Sequence, residues 1–294
     1  MVRLVLDVPG QPCSNTDPGL HQLLVPAEDD QLQAVLAEIL AQPVAAKYTK
    51  AIRAATDYIL DGEKTGRFDV LGADVHTGER AAIGAKLEYE VLDAFGWDKL
   101  KPLDTRIGGV PVDLKATVGK NWAIPDEAHC QLCLCTQIDF KAHRHRTWLV
   151  RAHRSWLYRG KGNGDRKRGI AIHALDNWSA PLYDWEPLPR NPLLDLSDSQ
   201  KAVVFAEKVG QEKRLLALFG FLPNVVLPRS VIETVCAGND DPLRRTREVK
   251  GPAAEQGLTL LCGTWKRDKA VALAAGFELP EGDWIALNGA SAAG

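Results

Sequence analysis

The chain has 294 residues, of which 45% are hydrophobic and 25% charged, and its formal net charge is −2. This length favours about two domains, and the composition is that of ordinary globular proteins. No apolar run approaches the ~18 residues of a membrane span, and the N-terminus is too short and too soon acidic for a signal peptide, so we expect a soluble, cytoplasmic protein.

Two amphipathic helices are predicted in the first hundred residues. The first begins at the acidic group Glu28–Asp30, which suits a helix N-terminus. Its apolar stripe consists of Leu32, Val35, Leu36, Ile39 and Leu40. The second covers Ile83–Leu92, whose apolar face is formed by Ile83, Leu87 and Val91. Glu88 borders that face and is placed to contribute an acidic ligand to a neighbouring site.

A strand is predicted from Val110, because apolar residues alternate with Pro111, Asp113 and Lys115. Asp113 and Lys115 would share one face of it. Gly108-Gly109 can turn the chain just before the strand and bring Asp104 back beside Asp113. Two carboxylates and an ammonium suit phosphodiester hydrolysis, which needs oxygen ligands for Mg²⁺ and a cation that orients water and stabilises charge. The same pattern also fits a solvent-facing pair on an amphipathic strand.

A second strand is predicted over Cys130–Ile138, where cysteine would act as a small hydrophobe. The alternative is a zinc site made by Cys130, Cys133 and Cys135 with His129. This spacing lacks the second half of a pair of zinc knuckles, so the buried strand is the favoured interpretation.

The window from Lys141 to Arg168 reverses the charge balance of the chain. It holds ten lysines and arginines against the single acid Asp165, with Trp148, Trp156 and Tyr158 interleaved. Such a cluster is typical of a surface that binds a phosphate backbone, although it also fits a solvated face.

A stretch rich in proline and tryptophan, Asn177–Pro192, follows and predicts a linker between domains. Beyond it we expect a helix over Ser197–Glu212 that continues into Leu215, Leu216, Leu218 and Phe219. A short helix over Pro228–Val235 and a basic helix over Asp240–Glu248 should follow. Two short strands, Gly257–Gly263 and Trp284–Leu287, come last. Helices, a basic helix and a two-strand ribbon are the outline of a winged helix-turn-helix.

Glu88 on a helix, then Asp104, then Asp113-Leu114-Lys115 is the order found in the PD-(D/E)xK nuclease superfamily. A larger part of the chain, from about Pro26 to Asn288, resembles the NaeI-type restriction endonucleases. Besides the acidic series, the segments that carry this resemblance are Pro26–Leu32, Tyr58–Arg67 with its Asp-Gly-x-x-Thr-Gly-Arg pattern, Trp122–Pro125, Gly164–Arg168 and Val231–Val235.

The resemblance implies a homodimeric type II enzyme that cleaves double-stranded DNA with Mg²⁺. It implies an α/β restriction-endonuclease-like domain, with a mixed central sheet flanked by helices, and a smaller α+β winged-helix domain that binds a second copy of the recognition sequence. We expect an N-terminal extension at 1–25, the endonuclease domain at 26–180, a linker at 181–190 and the winged-helix domain at 191–294. The C-terminal half is shorter than that of the family, which bears on the second-site function rather than on cleavage.

The resemblance also implies roles for individual residues. Asp104 and Asp113 would bind Mg²⁺ with the carbonyl oxygen of Leu114, and Glu88 would complete the site directly or through water. Lys115 would contact the attacking water and the scissile phosphate; burial would lower its pKa and the carboxylates would raise it. The residues expected to contact DNA are Thr117, Lys120, Asn121, Arg144, Arg146, Arg166, Lys167, Arg168, Arg244, Arg245, Arg247 and Lys250.

Two other functions remain compatible with the same residues. One is a winged-helix regulator whose nuclease domain does not cleave, against which the complete acidic series argues. The other is a nicking repair endonuclease of the same superfamily, which would cut one strand only. A topoisomerase is disfavoured, because all five tyrosines precede the second predicted domain.

Overall fold

The computed structural model describes residues 23–158 and 162–289. These residues divide into two compact units. Residues up to 59 and residues 76–189 form the first unit, whereas residues 60–75 and those from 190 onward form the second. The second unit therefore takes a segment from within the predicted endonuclease domain. The predicted N-terminal extension, apart from residues 23–25, and the tail from residue 290 lie outside the described residues.

Both units contain helices and strands. The strands are β1 (Thr105–Ile107), β2 (Val110–Thr117), β3 (Asn121–Ile124), β4 (Leu132–Asp139), β5 (Arg144–Arg151), β6 (Arg168–Ala171), β7 (Ser179–Pro187), β8 (Leu258–Cys262) and β9 (Trp284–Asn288). The helices are α1 (Asp30–Leu40), α2 (Val44–Leu60), α3 (Gly62–Thr65), α4 (Thr77–Phe95), α5 (Ile172–Trp178), α6 (Asp198–Val204), α7 (Gln211–Phe221), α8 (Arg229–Val235), α9 (Pro242–Glu248), α10 (Lys250–Glu255) and α11 (Lys266–Ala274). None of these described helices is long and apolar enough to cross a bilayer.

A five-stranded mixed sheet forms the centre of the first unit. Its strands lie in the order β1-β2-β4-β5-β7, with β2 and β4 parallel and the other neighbours antiparallel. Helix α4 packs on β2, and α1 packs on β5 and β7. The central mixed sheet flanked by helices is the architecture that the sequence predicts. A separate antiparallel pair joins β3 to β6.

Helix α1 begins where the sequence predicts an acidic N-terminus. The Asp29 carboxylate accepts a hydrogen bond from the Leu32 backbone N–H at 3.0 Å and so caps the helix. The same carboxylate binds the guanidinium of Arg151 on β5, with Arg151 Nε 2.5 Å from Asp29 Oδ2. Both side chains are buried. One carboxylate therefore both begins α1 and holds it against the sheet.

A buried histidine joins α2 to the sheet. One ring nitrogen of His145 lies 2.8 Å from Thr49 Oγ1 on α2, and the other lies 2.9 Å from the Tyr183 hydroxyl on β7. Burial lowers the pKa of His145 to about 4. The imidazole is therefore neutral near physiological pH, one ring nitrogen donating a hydrogen bond and the other accepting one.

Strand β4 is buried along nearly its whole length. Cys133 and Cys135 lie in it with free, buried thiols, and burial raises both pKa values well above the usual range of a thiol. This confirms the predicted buried strand for Cys133 and Cys135, which act as small hydrophobes. The strand begins at Leu132 rather than at Cys130, because Cys130 has φ +62° and so departs from the extended backbone.

Strand β7 occupies most of the stretch in which the sequence predicts a linker at 181–190. Ser179–Pro187 pairs with β5 as the last strand of the sheet, and the register shifts twice along the pair. The predicted linker is therefore a strand as far as Pro187, because proline excludes only central strands, whereas the boundary between the two units, after Pro189, does fall within the predicted range. An edge strand tolerates Pro181 and Pro187, since its outer N–H groups need no partner in the sheet.

The second unit begins with a short segment that comes from between α2 and α4. At Gly62 in α3, a Cβ atom would lie 2.2 Å from Thr234 Oγ1, so only glycine allows this approach to α8. The backbone N–H of Gly238 also donates to the Glu63 carbonyl at 3.0 Å. The Asp-Gly-x-x-Thr-Gly-Arg motif therefore serves the packing of α3 on α8.

Two shorter helices replace the single helix predicted over Ser197–Glu212. Helix α6 ends at Val204, and Phe205 turns out of the helix to stack on Phe68 with ring centroids 5.4 Å apart. Gly210 has an extended backbone and begins α7. Phe205 and Phe68 are far apart in the sequence, so their stacking is a tertiary contact that helical periodicity does not encode.

The last two strands, β8 and β9, pair antiparallel as predicted. They do not form a simple hairpin, because α11 lies between them in the chain. Trp284 on β9 is buried in a core that also contains Phe219 of α7 and Ile232 of α8. The two strands thus close a helical core.

Candidate active site

Helix α4 positions the first acidic side chain of the site. Ile83, Leu87 and Val91 are buried on one face of α4, as the sequence predicts, and α4 packs on β2. Glu88 borders that face, and its side chain remains 19% exposed. A helix held by its apolar stripe therefore presents one carboxylate next to the sheet.

The β1–β2 hairpin positions the next two acids. Gly108 and Gly109 both have positive φ, +57° and +80°, which lets the chain reverse between the strands. The register places Asp104, directly before β1, opposite Asp113 of β2. Asp104 Oδ2 also accepts a hydrogen bond from the Leu114 backbone N–H at 2.6 Å. The predicted turn and the predicted approach of the two carboxylates are both present.

Lys115 lies beside both aspartates. Its Nζ is 2.8 Å from Asp113 Oδ2 and 3.7 Å from Asp104 Oδ2, and it donates a hydrogen bond to the Leu114 carbonyl at 3.0 Å. The contact with Asp113 is an ion pair and does not count as a hydrogen bond. Asp113 Oδ2 is therefore a buried oxygen without a hydrogen-bond partner.

A second lysine, which sequence reasoning missed, lies within the same cluster. Lys99 is in the loop between α4 and β1, and its Nζ donates to Asp104 Oδ1 at 2.5 Å and also to Glu88 Oε1. It thereby joins the helix to the hairpin. No motif spacing distinguishes it from the neighbouring Lys101, and only the folded loop brings it to the carboxylates.

The three carboxyl groups differ in their protonation. Burial, the largest cause, raises the pKa of Asp113 to about 7 against the pull of the Lys115 ammonium. Burial also raises the pKa of Glu88, although Lys99 opposes this. Burial would raise the pKa of Asp104 too, but its hydrogen bonds from Lys99 and the Leu114 N–H lower it overall. Asp104 is thus the best-stabilised anion of the three.

The sequence leaves open in which direction the pKa of Lys115 moves. Burial alone would lower it, but the Asp113 and Asp104 carboxylates outweigh burial and raise the pKa to about 12. Lys115 is therefore a cation at neutral pH. It is suited to hold a phosphate oxygen and stabilise negative charge, rather than to accept a proton from water.

The oxygen donors fit a hard divalent cation, although they do not form a finished metal centre. Among the described residues, no group of three or more His, Cys, Asp or Glu side chains has the geometry to hold a metal ion. Asp104 and Asp113 nevertheless offer carboxylate oxygens beside the Leu114 carbonyl, the donor types that Mg²⁺ prefers. A cation would also give the buried Asp113 Oδ2, which is paired with Lys115 but accepts no hydrogen bond, a second charged partner. The residues present therefore fit Mg²⁺.

The face of the sheet that carries Lys115 continues to the predicted DNA-contacting residues. Thr117 of β2 stands beside Gln137 of β4, which in turn stands beside Arg146 of β5. Because alternate residues of a strand share a face, these side chains lie on the face of Asp113 and Lys115. Lys120 and Asn121, in the turn after β2 and at the start of β3, are exposed.

Two arginines on this face stack on tryptophan rings. The guanidinium carbons of Arg144 and Arg146 each lie 4.1 Å from the ring centre of Trp185, and that of Arg146 lies 4.4 Å from Trp148. Arg146 Nε also donates to Gln137 Oε1 at 3.1 Å. These contacts fix the direction of two cations. Sequence reasoning identified both arginines but missed Trp185 and Gln137.

The other basic residues predicted in the first unit lie around β6. Arg166 is exposed in the turn that precedes it, Lys167 is half-buried, and Arg168 begins the strand. The Asn163 side chain accepts hydrogen bonds from the backbone N–H groups of Asp165 and Lys167, which shapes the turn.

Helix α9 carries the predicted basic residues of the second unit. Arg244 and Arg245 form ion pairs with Glu248 at 3.0 and 2.7 Å, and Arg247 is exposed. Lys250, at the start of α10, lies 3.1 Å from the Asp268 carboxylate of α11. Glu248 and Asp268 therefore offset part of the positive charge in this unit.

The site and the fold agree with a comparison against known families. The model of a family described as restriction endonuclease NaeI matches residues 33–290, which include all four residues of the acid–lysine series and the strands of both units. No curated protein matches the chain significantly. The chain therefore belongs to the NaeI family of restriction endonucleases and is a type II site-specific deoxyribonuclease.

Proposed function

We propose that this enzyme cleaves both strands of its DNA site in a Mg²⁺-dependent reaction at Glu88, Asp104, Asp113 and Lys115. The observation that carries the proposal is the convergence of Asp104, Asp113 and Lys115 at one end of the β1–β2 hairpin, with Glu88 of α4 joined to Asp104 through Lys99. Asp104, Asp113 and the Leu114 carbonyl would hold the ion, and Glu88 would complete the site directly or through water.

The bound ion would supply an electrophile for the phosphate and lower the pKa of a bound water. The protein supplies the remaining chemistry. Asp104 is held as an anion by the Leu114 N–H at 2.6 Å, which fixes one oxygen donor of the site. The protonated Lys115 stabilises the negative charge that develops on the scissile phosphate. Asp113 is only 3% exposed, so its carboxyl group has little contact with bulk water.

Cleavage of plasmid DNA that contains many sequences tests this proposal. We expect the wild-type protein to produce defined ends with Mg²⁺ and none with EDTA, and sequencing of the ends gives the site and the number of strands cut. Asp113→Asn should abolish cleavage while retaining DNA binding. Asp98→Asn, at an exposed position in the loop before β1, is the matched control. Cleavage by Asp113→Asn at the wild-type rate would contradict the proposal.

The proposed DNA surface of the first unit contains Thr117, Lys120, Asn121, Arg144 and Arg146. Support comes from the shared sheet face and from the fixed direction of the stacked arginines. The proposal also includes the three basic residues that lead into β6, Arg166, Lys167 and Arg168. Replacement of one phosphate-binding cation should lower the number of counterions released on DNA binding by about one. The measurement is the slope of the logarithm of the binding constant against the logarithm of salt concentration.

The second unit is proposed to be a winged-helix domain that binds another DNA copy and activates cleavage. Support comes from its helices, its basic helix α9 and the final antiparallel pair, and Arg244, Arg245, Arg247 and Lys250 are its candidate contacts. Activation predicts faster cleavage of plasmids with two sites than with one. Equal rates would refute the second-site role without affecting cleavage itself.

We further propose that the enzyme acts as a homodimer. A double-strand cut made in one binding event uses two sets of reacting groups, and the described part of the chain contains one acid–lysine set. Light scattering of the purified protein should give twice the mass of the 32.2 kDa chain.

A further inference from the structure

Lys99 contacts two of the three carboxylates that we assign to the ion. Its Nζ bridges Glu88 on α4 and Asp104 before β1, at 2.5 Å from Asp104 Oδ1. Its side chain is 40% exposed and extends from a loop, whereas Lys115 is 21% exposed and lies within a strand. The two lysines therefore differ in how firmly the fold holds them at the site.

The formal charges of the cluster indicate that one ammonium group becomes surplus when a divalent ion binds. When all three carboxyl groups are ionised, as they are when they bind an ion, they and the two ammonium groups carry one net negative charge. A divalent ion added to this set would make it positive by one, and departure of a single ammonium group would then restore neutrality. A surplus charge in a partly buried cluster is costly. Lys99 is the ammonium group that can leave, because it is the more exposed of the two and lies on a loop.

We propose that Lys99 is a cation placeholder, which holds Glu88 and Asp104 together until a divalent ion displaces it, and so sets the ion concentration at which the site fills. This inference rests on the proposed function of the site. It makes Lys99 a positioning residue of the metal site. The ammonium group prevents Glu88 and Asp104 from repelling one another, and it competes for the oxygens that the ion needs.

Removal of the competing charge should strengthen metal binding. Each charge-assisted hydrogen bond of Lys99 must be exchanged when the ion enters, so we expect Lys99→Met to lower the Kd for Mn²⁺ about tenfold, or about 1.4 kcal/mol. Lys99→Gln, a second uncharged side chain, should behave in the same way. Lys99→Arg keeps the charge and should bind Mn²⁺ like the wild type.

Isothermal titration of the full-length, DNA-free protein with Mn²⁺ alone measures this effect without any cleavage. Lys101→Met is the matched control, because Lys101 lies two residues away in the same loop and is exposed. A Kd of Lys99→Met equal to or higher than that of Lys101→Met overturns the inference. Circular dichroism verifies that each variant is folded before titration.

The outcome separates this inference from the proposed function. If the wild type binds Mn²⁺ and cleaves DNA, but the Lys99 variants bind Mn²⁺ with unchanged affinity, only the placeholder role fails. If neither the wild type nor any Lys99 variant binds Mn²⁺, both the placeholder role and the Mg²⁺-dependent mechanism fail.

Discussion

Replacement of Asp113 by asparagine should stabilise the metal-free protein at alkaline pH. The folded site raises the pKa of this buried carboxyl from its ordinary 3.8 to about 7, chiefly through burial. At about 1.36 kcal/mol per pKa unit, ionising Asp113 in the folded protein costs on the order of 4 kcal/mol above pH 7. Asparagine has no charge to bury, so the variant avoids this cost.

The sign of the pH dependence follows from the raised pKa. Because folding disfavours the charged form, wild-type stability is lost as pH rises from the ordinary value of 3.8 to about 7. The advantage of Asp113→Asn should therefore be full at pH 8, less than half as large at pH 5, and close to zero near pH 4. At about 2–4 °C per kcal/mol, the full effect is a rise in Tm on the order of 10 °C.

Thermal unfolding in EDTA at pH 8, pH 5 and pH 4 measures this difference. Asp98→Asn, with an exposed side chain, should change the Tm little at any of the three. The reasoning is refuted if Asp113→Asn melts at or below the wild-type temperature at pH 8, or if its advantage does not depend on pH. Addition of Mg²⁺ should narrow the gap at pH 8, because a ligand that binds only the native wild-type site raises its stability.

Three further predictions concern contacts of the first unit. Asp29→Ala should lower the free energy of unfolding in urea by about 3–5 kcal/mol, because it removes the carboxylate that pairs with the buried Arg151 guanidinium. Asp30→Ala, at the exposed neighbouring position, should lower it far less. Burial lowers the pKa of His145 to about 4, so its imidazole resonances in NMR spectra should not titrate above pH 5. The free energy of unfolding should accordingly fall as pH drops from 6.5 toward 4. A titration midpoint near 6.5 would contradict the buried geometry. Trp185→Ala should weaken DNA binding about fivefold in fluorescence anisotropy with Ca²⁺, because two guanidinium groups lose the ring on which they stack, and an unchanged affinity would exclude this surface.

The elements predicted correctly from the sequence are those whose pattern is local. The stripe of Ile83, Leu87 and Val91 specifies the buried face of α4, and Glu88 follows from that face. The two glycines before β2 and the alternation along it are enough to place Asp104 opposite Asp113. The site was therefore predictable as far as a helix and a hairpin determine it.

The features that sequence reasoning missed depend on contacts between distant segments. Lys99 reaches Glu88 and Asp104 only through the path of its loop, and no spacing distinguishes it from Lys101. Phe205 ends α6 because it stacks on Phe68, and β7 forms because an edge position tolerates its prolines. In each case a tertiary contact decides what the local pattern leaves open.

The assignment of residues 60–75 to the second unit has a consequence for how the protein can be divided or recombined. The backbone passes between the units three times, after residues 59, 75 and 189. A fragment that stops at residue 189 would keep Gly62 and Phe68 but lose their partners Thr234 and Phe205. Transfer of the C-terminal unit to another endonuclease would therefore require grafting both pieces, and a single gene fusion at one boundary would produce a chimera with an incomplete core.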